Sequence, residues 1–344
     1  MRSTYWDSIK GFAIIAVVII HACGHTTLFP EGSPNWIFGI FIKQIVNFAV
    51  PMFFALSGFF SPPRVGVTPF QYISNRLIRI VPPYLIWTLA YLVPWKPSHF
   101  QNPILLIHDF FLGTGIGNGY FVIVMLQFIL LTPFIWKIKS VKTHVILMIF
   151  LSAVGLSVTY VLRAFCPSSA FSKFPFSGIL FVYWYPFFHF GVFVSMFREA
   201  TDKWLNKIKR VIPWLLFIFL LLSLVEGFFW SFRGISSIGA SQIKLSSFAL
   251  SLTLFLSVLA FPDRLSCIDK KILAWLGRGS YIIYLSHMFV LWRVGHVLAK
   301  SKMIFQIQPI FVSLVTVMTL ILCSILILAI EHTPVRKLKK SLGL

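Results

Sequence analysis

Apolar residues dominate this chain in long runs, at about 9–25, 36–60, 80–95, 118–136, 143–162, 177–196, 211–230, 245–261, 280–297 and 309–330. Short stretches rich in Lys, Arg, Pro, Asn and Gly separate them. A helix needs about 20 apolar residues to cross roughly 30 Å of hydrocarbon, so the pattern predicts an all-α polytopic membrane protein with about ten transmembrane helices. The third run is the shortest, because Pro82 and Pro83 open it and Pro94 closes it. No internal repeat or soluble segment stands out, and 1–344 reads as a single integral-membrane domain.

Composition agrees: 58% of the 344 residues are hydrophobic and only 11% charged, against about a quarter in a soluble domain. The net charge of +21 would suggest nucleic acid in a soluble chain, but here the basic residues sit in short loops and their meaning is topological. Of 30 Lys and Arg, 21 fall on the side carrying the N-terminus and eight on the other, with Lys43 inside the second run. That asymmetry predicts cytoplasmic termini, and it needs the third run to cross. Cys23, Cys166, Cys267 and Cys323 are widely spaced without a CxxC pair, so they read as packing residues. The first run, with Arg2 and Lys10 near its start and no clear cleavage site, reads as a retained helix. Trp36, Trp136 and Trp292 read as interface anchors.

Ionisable residues inside such runs carry the functional information, since each needs a partner or a polar cavity. They are His21, Lys43, His189, Glu226 and His287, with Asp7, Lys10, His25 and Arg293 near run ends. Eleven helical positions turn through three turns plus about 20°, so Lys10 and His21 share one face, about 16 Å apart along the axis. Asp7 and His25 extend that stripe. A metal at His21 and His25 lacks a companion carboxylate or cysteine pair at ligand spacing, and none is predicted. The cytoplasmic loop after the second run carries Arg76 and Arg79, three apart on one helical face. They are either a fork for phosphate oxygens or positive-inside anchors. Ser57 is a candidate nucleophile, although a small residue beside Gly58 suits close helix packing better. His189 and His287 are functional candidates or histidines bonded to a neighbouring helix, Glu226 orients a histidine or the acceptor, and Lys43 reads as snorkelling.

These residues resemble the membrane acyltransferase family 3, integral-membrane enzymes that O-acylate sugars and other cell-envelope molecules. The segment DSIKGFAIIAVVIIH, with Lys10 and His21, is similar to the family's opening helix. Phe53 to Phe59, with Ser57 and Gly58, resembles its FFxxSGF segment, and Arg76-Leu77-Ile78-Arg79 its RxxR motif. Asn118 to Pro133, with Tyr120 and Gln127, resembles its aromatic fourth span, and Ser280 to His287 its SYxxYLxH helix. The matches run from Asp7 to about His287. Lys10 stands where members often carry Arg, which keeps the charge and loses the bidentate fork.

The resemblance implies a multi-pass protein of a bacterial inner or plasma membrane that transfers an acyl group, acetyl in the simplest case. The donor would be cytoplasmic acyl-CoA (acetyl-CoA), used as a substrate with no permanently bound cofactor. The acceptor would be a hydroxyl on a cell-surface or lipid-linked glycan, and a partner enzyme outside the membrane would be a separate chain. His21, Lys10 and His287 are then the catalytic candidates, and Arg76, Arg79, Ser57 and Tyr120 the donor-binding set. His21 would act as general base or as acyl carrier, and either role needs a neutral ring. The competing class is a transporter or exporter of a saccharide or lipid-linked intermediate.

Overall fold

The computed structural model describes residues 4–173, 176–262 and 271–332. Arg2, Arg264, Lys270, Arg336, Lys337, Lys339, Lys340 and Cys267, which entered the charge and cysteine readings, lie outside the described residues. Regular structure among the described residues is helical throughout, with no strand. In hydrocarbon a chain must satisfy its own amides and carbonyls, and a helix does so within one segment.

The helices of eight residues or more are α1 (Thr4–Ala22), α2 (Pro34–Val46), α3 (Ala49–Phe59), α4 (Pro69–Trp95), α5 (Pro103–Phe111), α6 (Tyr120–Trp136), α7 (Val141–Tyr160), α8 (Tyr185–Met196), α9 (Arg198–Ile208), α10 (Ile212–Phe232), α11 (Leu245–Ala260), α12 (Lys271–Arg278), α13 (Ser280–Ala299) and α14 (Gln308–His332). Among the described residues seven stretches are long and apolar enough to cross a membrane: Thr4–Leu28, Pro34–Phe59, α4, Val141–Phe165, α10, α13 and α14. α6 and α11 are apolar but shorter, at 17 and 16 residues.

Three expected runs differ from the pattern. The second is two helices, broken at Asn47 and Phe48, because Pro51 has no amide to bond the Asn47 carbonyl. The sixth is broken at Leu180, whose backbone is extended. There the Gln127 side chain donates to the Ile179 carbonyl at 2.7 Å and accepts from the Phe181 amide at 2.9 Å, replacing the missing helical bonds. Pro186 then sits in the first turn of α8, where its lack of an amide is harmless. The third, expected to be short, is the 27-residue α4, which runs through Pro82, Pro83 and Pro94. Thr68 and Gln71 cap its start reciprocally at 2.9 and 3.2 Å, with Pro69 as its first residue. Pro82 and Pro83 leave the Ile78 and Arg79 carbonyls without a helical amide, and the Tyr281 hydroxyl donates to the neighbouring Ile80 carbonyl at 2.7 Å. Arg76 and Arg79 therefore belong to α4 itself and not to a loop.

Contacts divide the chain into two compact units, Met1–Ile42 with Ser74–Ile123 and Ile268–Leu344, and Lys43–Ile73 with Val124–Cys267. In the first unit α1 packs on α12 at backbone distance. A Cβ at Gly11 would lie 2.0 Å from the Leu273 carbonyl oxygen, and one at Gly277 1.7 Å from that of Asp7. α1 also packs on α13 and α14, which pack on each other. In the second unit α3 meets α8 equally closely: a Cβ at Gly58 would lie 2.0 Å from the Phe188 carbonyl, and one at Gly191 2.0 Å from that of Ala55. Small residues at such crossings let helices gain dispersion where lipid offers no hydrophobic drive.

Gly277→Val is expected to destabilise the first unit by about 3 kcal/mol through overpacking. A lower midpoint in detergent thermal unfolding is the check, and an unchanged midpoint would contradict the backbone contact with Asp7.

Candidate functional site

The first unit gathers most of the polar residues that the sequence singles out. α1 carries Lys10 and His21 on one continuous helix. Lys10 pairs with the buried Asp7 at 3.3 Å, near the start of α1. At its other end the His21 ring faces that of His287, with centroids 5.1 Å apart. One step further, His25 stands on a tight 3-10 turn, Cys23–Leu28, and not on α1 as the stripe expected. Tighter winding there draws the ring off the α1 register, and it lies 5.0 Å from Phe311 and 2.9 Å from where a Gly295 Cβ would be. Since His21 meets His287 and His25 meets Gly295, α1 and α13 run parallel.

His287 is fully buried. Its Nδ1 lies 3.0 Å from the Ile283 carbonyl and 2.8 Å from that of Tyr284. Carbonyl oxygens only accept, so Nδ1 carries the proton and the neutral ring keeps a lone pair on Nε2. Among the described residues that buried Nε2 has no hydrogen-bond partner. A base atom held in one tautomer and left unbonded is what proton abstraction or acyl capture requires.

The helix presenting His287 is fixed from three sides. Asn118 donates to the Tyr284 carbonyl at 3.1 Å, and the Tyr284 hydroxyl donates back to the Asn118 carbonyl. The Tyr91 hydroxyl donates to the Leu285 carbonyl at 3.0 Å and accepts from the Phe289 amide at 2.8 Å, bridging the two ends of one helical step. Ser286 donates to Cys323 of α14 at 3.5 Å. Tyr120, in the same unit, lies near enough to Tyr284 to act on it electrostatically. Arg76 and the exposed Arg79 stand toward the start of α4, and the loop beyond Trp95 at its other end. Sixteen residues separate Arg79 from Trp95, about 24 Å of helix.

Ser57 belongs to the second unit, on α3, where its carbonyl accepts from Ser61 at 2.6 Å. There Glu226 binds no histidine: its carboxylate accepts from Tyr160, from the Ser246 amide at 2.9 Å and from the Ser246 hydroxyl, at the start of α11. His189 pairs with His144 at 2.6 Å, and the other nitrogen of His144 meets the Ile138 carbonyl at 3.1 Å. The buried Lys244 ammonium is held by Gln44 at 2.8 Å, Ser223 at 3.0 Å and Ser247. Sequence reasoning missed Tyr91, His144 and Lys244. It also missed a cluster in the first unit built on Asp109, whose only sequence signal is a lone acid in the apolar stretch Ile104–Phe111. Among the described residues no three His, Cys, Asp or Glu side chains group to hold a metal.

A family model described as an acyltransferase domain matches residues 3–328. The chain belongs to acyltransferase family 3. Curated relatives named "Probable poly-beta-1,6-N-acetyl-D-glucosamine export protein", from Staphylococcus aureus strains Mu50, MRSA252 and MSSA476, are each 23% identical over 304 residues. The match covers 81% of this acyltransferase-family chain and 80% of theirs. No solved structure matches it.

Asp109 is 1% exposed. Burial raises its pKa, but hydrogen bonds from Thr114, His99 and Lys96, with the Lys96 charge, outweigh it and hold the carboxyl below its ordinary value of about 3.8. A depressed carboxylate stabilises the fold above its unfolded pKa and loses that contribution as pH falls through the folded one. Wild-type thermal stability is therefore expected to drop more steeply below about pH 3.8 than that of Asp109→Asn. Parallel acid titrations of the two midpoints would contradict this.

Proposed function

We propose that the protein transfers an acyl group from acyl-CoA to a hydroxyl of a cell-surface or lipid-linked glycan. The buried His287 Nε2 without a partner, facing His21, carries this reading. Arg76 and Arg79 receive the phosphates of the donor at one end of α4, and Lys10 adds positive charge at the start of α1. Tyr120, in the same unit, completes the donor-binding set. The thioester reaches inward to the histidine pair, which serves as base toward the acceptor hydroxyl or as carrier of the acyl group. As base, a ring nitrogen takes the hydroxyl proton while the oxygen bonds the acyl carbon and the thiolate of CoA leaves. Membership of acyltransferase family 3 supports acyl transfer, and the glycan named for the curated relatives supports a saccharide acceptor.

The orientation proposed from the loop charges places both termini in the cytoplasm, with about ten crossings in a bacterial inner or plasma membrane. The printed name of the relatives favours a second reading, in which the chain exports a saccharide without forming a bond.

Wild type, His21→Ala and His287→Ala, produced at equal membrane levels in a host lacking the gene, are expected to differ in O-acyl groups on envelope glycans. Loss of a positioned base or carrier lowers transfer by about 10²–10⁴-fold. Mass spectrometry of the glycans reads it. Full acylation by both variants would overturn the histidine roles, and glycan movement without acylation by the wild type would favour export. The orientation has its own check in Cys166, which is exposed, whereas Cys23 and Cys323 are buried. A membrane-impermeant maleimide is expected to label Cys166 in intact cells, and labelling only after lysis would reverse the topology.

A further inference from the structure

Beyond the end of α4 remote from Arg79, the first unit holds a second titratable cluster that the reading above does not use. Lys96 follows α4, and His99 stands on a 3-10 turn, Pro97–Gln101, opened by a proline. Asn102 then caps α5 by accepting from the Ile104 and Leu105 amides. α5 swings Asp109 back onto the turn, where His99 Nδ1 lies 2.5 Å from Asp109 Oδ2. The other carboxylate oxygen accepts from Lys96 at 3.1 Å and Thr114 at 2.6 Å. His108 lies 3.3 Å from the Thr114 hydroxyl, and the Tyr84 hydroxyl donates to the Phe110 carbonyl at 2.8 Å.

The carboxylate is thus fully engaged and 1% exposed, while the His99 side chain is 22% exposed. A carboxylate at Nδ1 fixes the neutral ring with its proton on that nitrogen and a lone pair on Nε2. No hydrogen bond from His99 Nε2 to another described residue is made, and the ring is partly open to the surface. An oriented histidine with one open nitrogen is the arrangement of a general base. The loop that supplies Thr114 runs on to Asn118, which fastens the His287 helix, and His99 lies in the same unit as the histidine pair.

We propose that His99, positioned by Asp109, is the general base for the acceptor hydroxyl, an inference that rests on the acyl-transfer reading and assigns the histidine pair the carrier role. In the first step His287 Nε2 bonds the thioester carbonyl carbon, the carbon–sulfur bond breaks and CoA leaves as thiolate. In the second the acceptor oxygen bonds the acyl carbon as its proton passes to His99 Nε2. The carbon–nitrogen bond breaks, its electron pair returns to His287, and His99 releases the proton to water at its exposed edge. Asp109 is a positioning residue throughout.

The test uses full-length protein in membranes of the native host lacking the gene, whose own envelope glycans are the acceptor, with radiolabelled acetyl-CoA. Two reactions are followed: label transfer to glycan, and exchange of labelled CoA into acetyl-CoA, which needs only the first step. His99→Ala is expected to lose transfer by about 100-fold or more, keep exchange, and regain part of its transfer with added imidazole. Asp109→Glu is expected to keep more transfer than Asp109→Asn, and Lys96→Met, which loosens the cluster without touching the base, to keep most of it. Unchanged transfer in His99→Ala, or loss of transfer and exchange together without imidazole rescue, overturns the assignment of His99 and leaves the acyl-transfer reading standing. Transfer without exchange in the wild type overturns the two-step order, and absence of both in the wild type overturns the acyl-transfer reading with it.

Discussion

Each polar atom carried into an apolar helical interior has to find a partner there, because no water waits to bond it. Most of this structure's departures from regular helix are answers to that demand. Gln127 clasps the peptide exposed where the sixth apolar run breaks, and the Tyr91 hydroxyl joins a carbonyl and an amide of α13. Lys244 is surrounded by oxygens until its three donors are used. The Nε2 of His287 is one of several buried polar atoms left without a partner among the described residues, and what sets it apart is its ring's contact with His21, while Nδ1 is turned to the carbonyls of its own helix.

The helical class and the location of most apolar stretches were legible because a hydrocarbon solvent imposes one length scale on every crossing. So was the shared face of Lys10 and His21, which a continuous α1 preserves. The breaks were not legible. Whether Pro51 ends a helix, and whether Pro82 and Pro83 fail to, depends on packing against helices distant in sequence, such as that of Tyr281 against Ile80.

The site shows the same division. His21 and His287 were each visible as ionisable residues in apolar runs, and their contact was not, since 266 positions separate them. His99 and Asp109 gave no periodic signal, because their geometry comes from a proline-opened turn and a capped short helix. Ser57 was read beside Gly58, and the glycine has a backbone contact with Phe188 that explains the pairing through packing.

The order in which the units are threaded along the chain bears on how the protein is made. α1 and α4 emerge early from the ribosome, yet the helices they pack against in the first unit, α12 to α14, are synthesised last. The second unit's Val124–Cys267 segment is synthesised in between. Until then Lys10 and His21 sit in a helix whose glycine face has nothing to meet, and the first unit can assemble only after translation has passed residue 271. Nascent chains stalled before that point lack His287 altogether, so the His21–His287 pair can form only once most of the chain has been made.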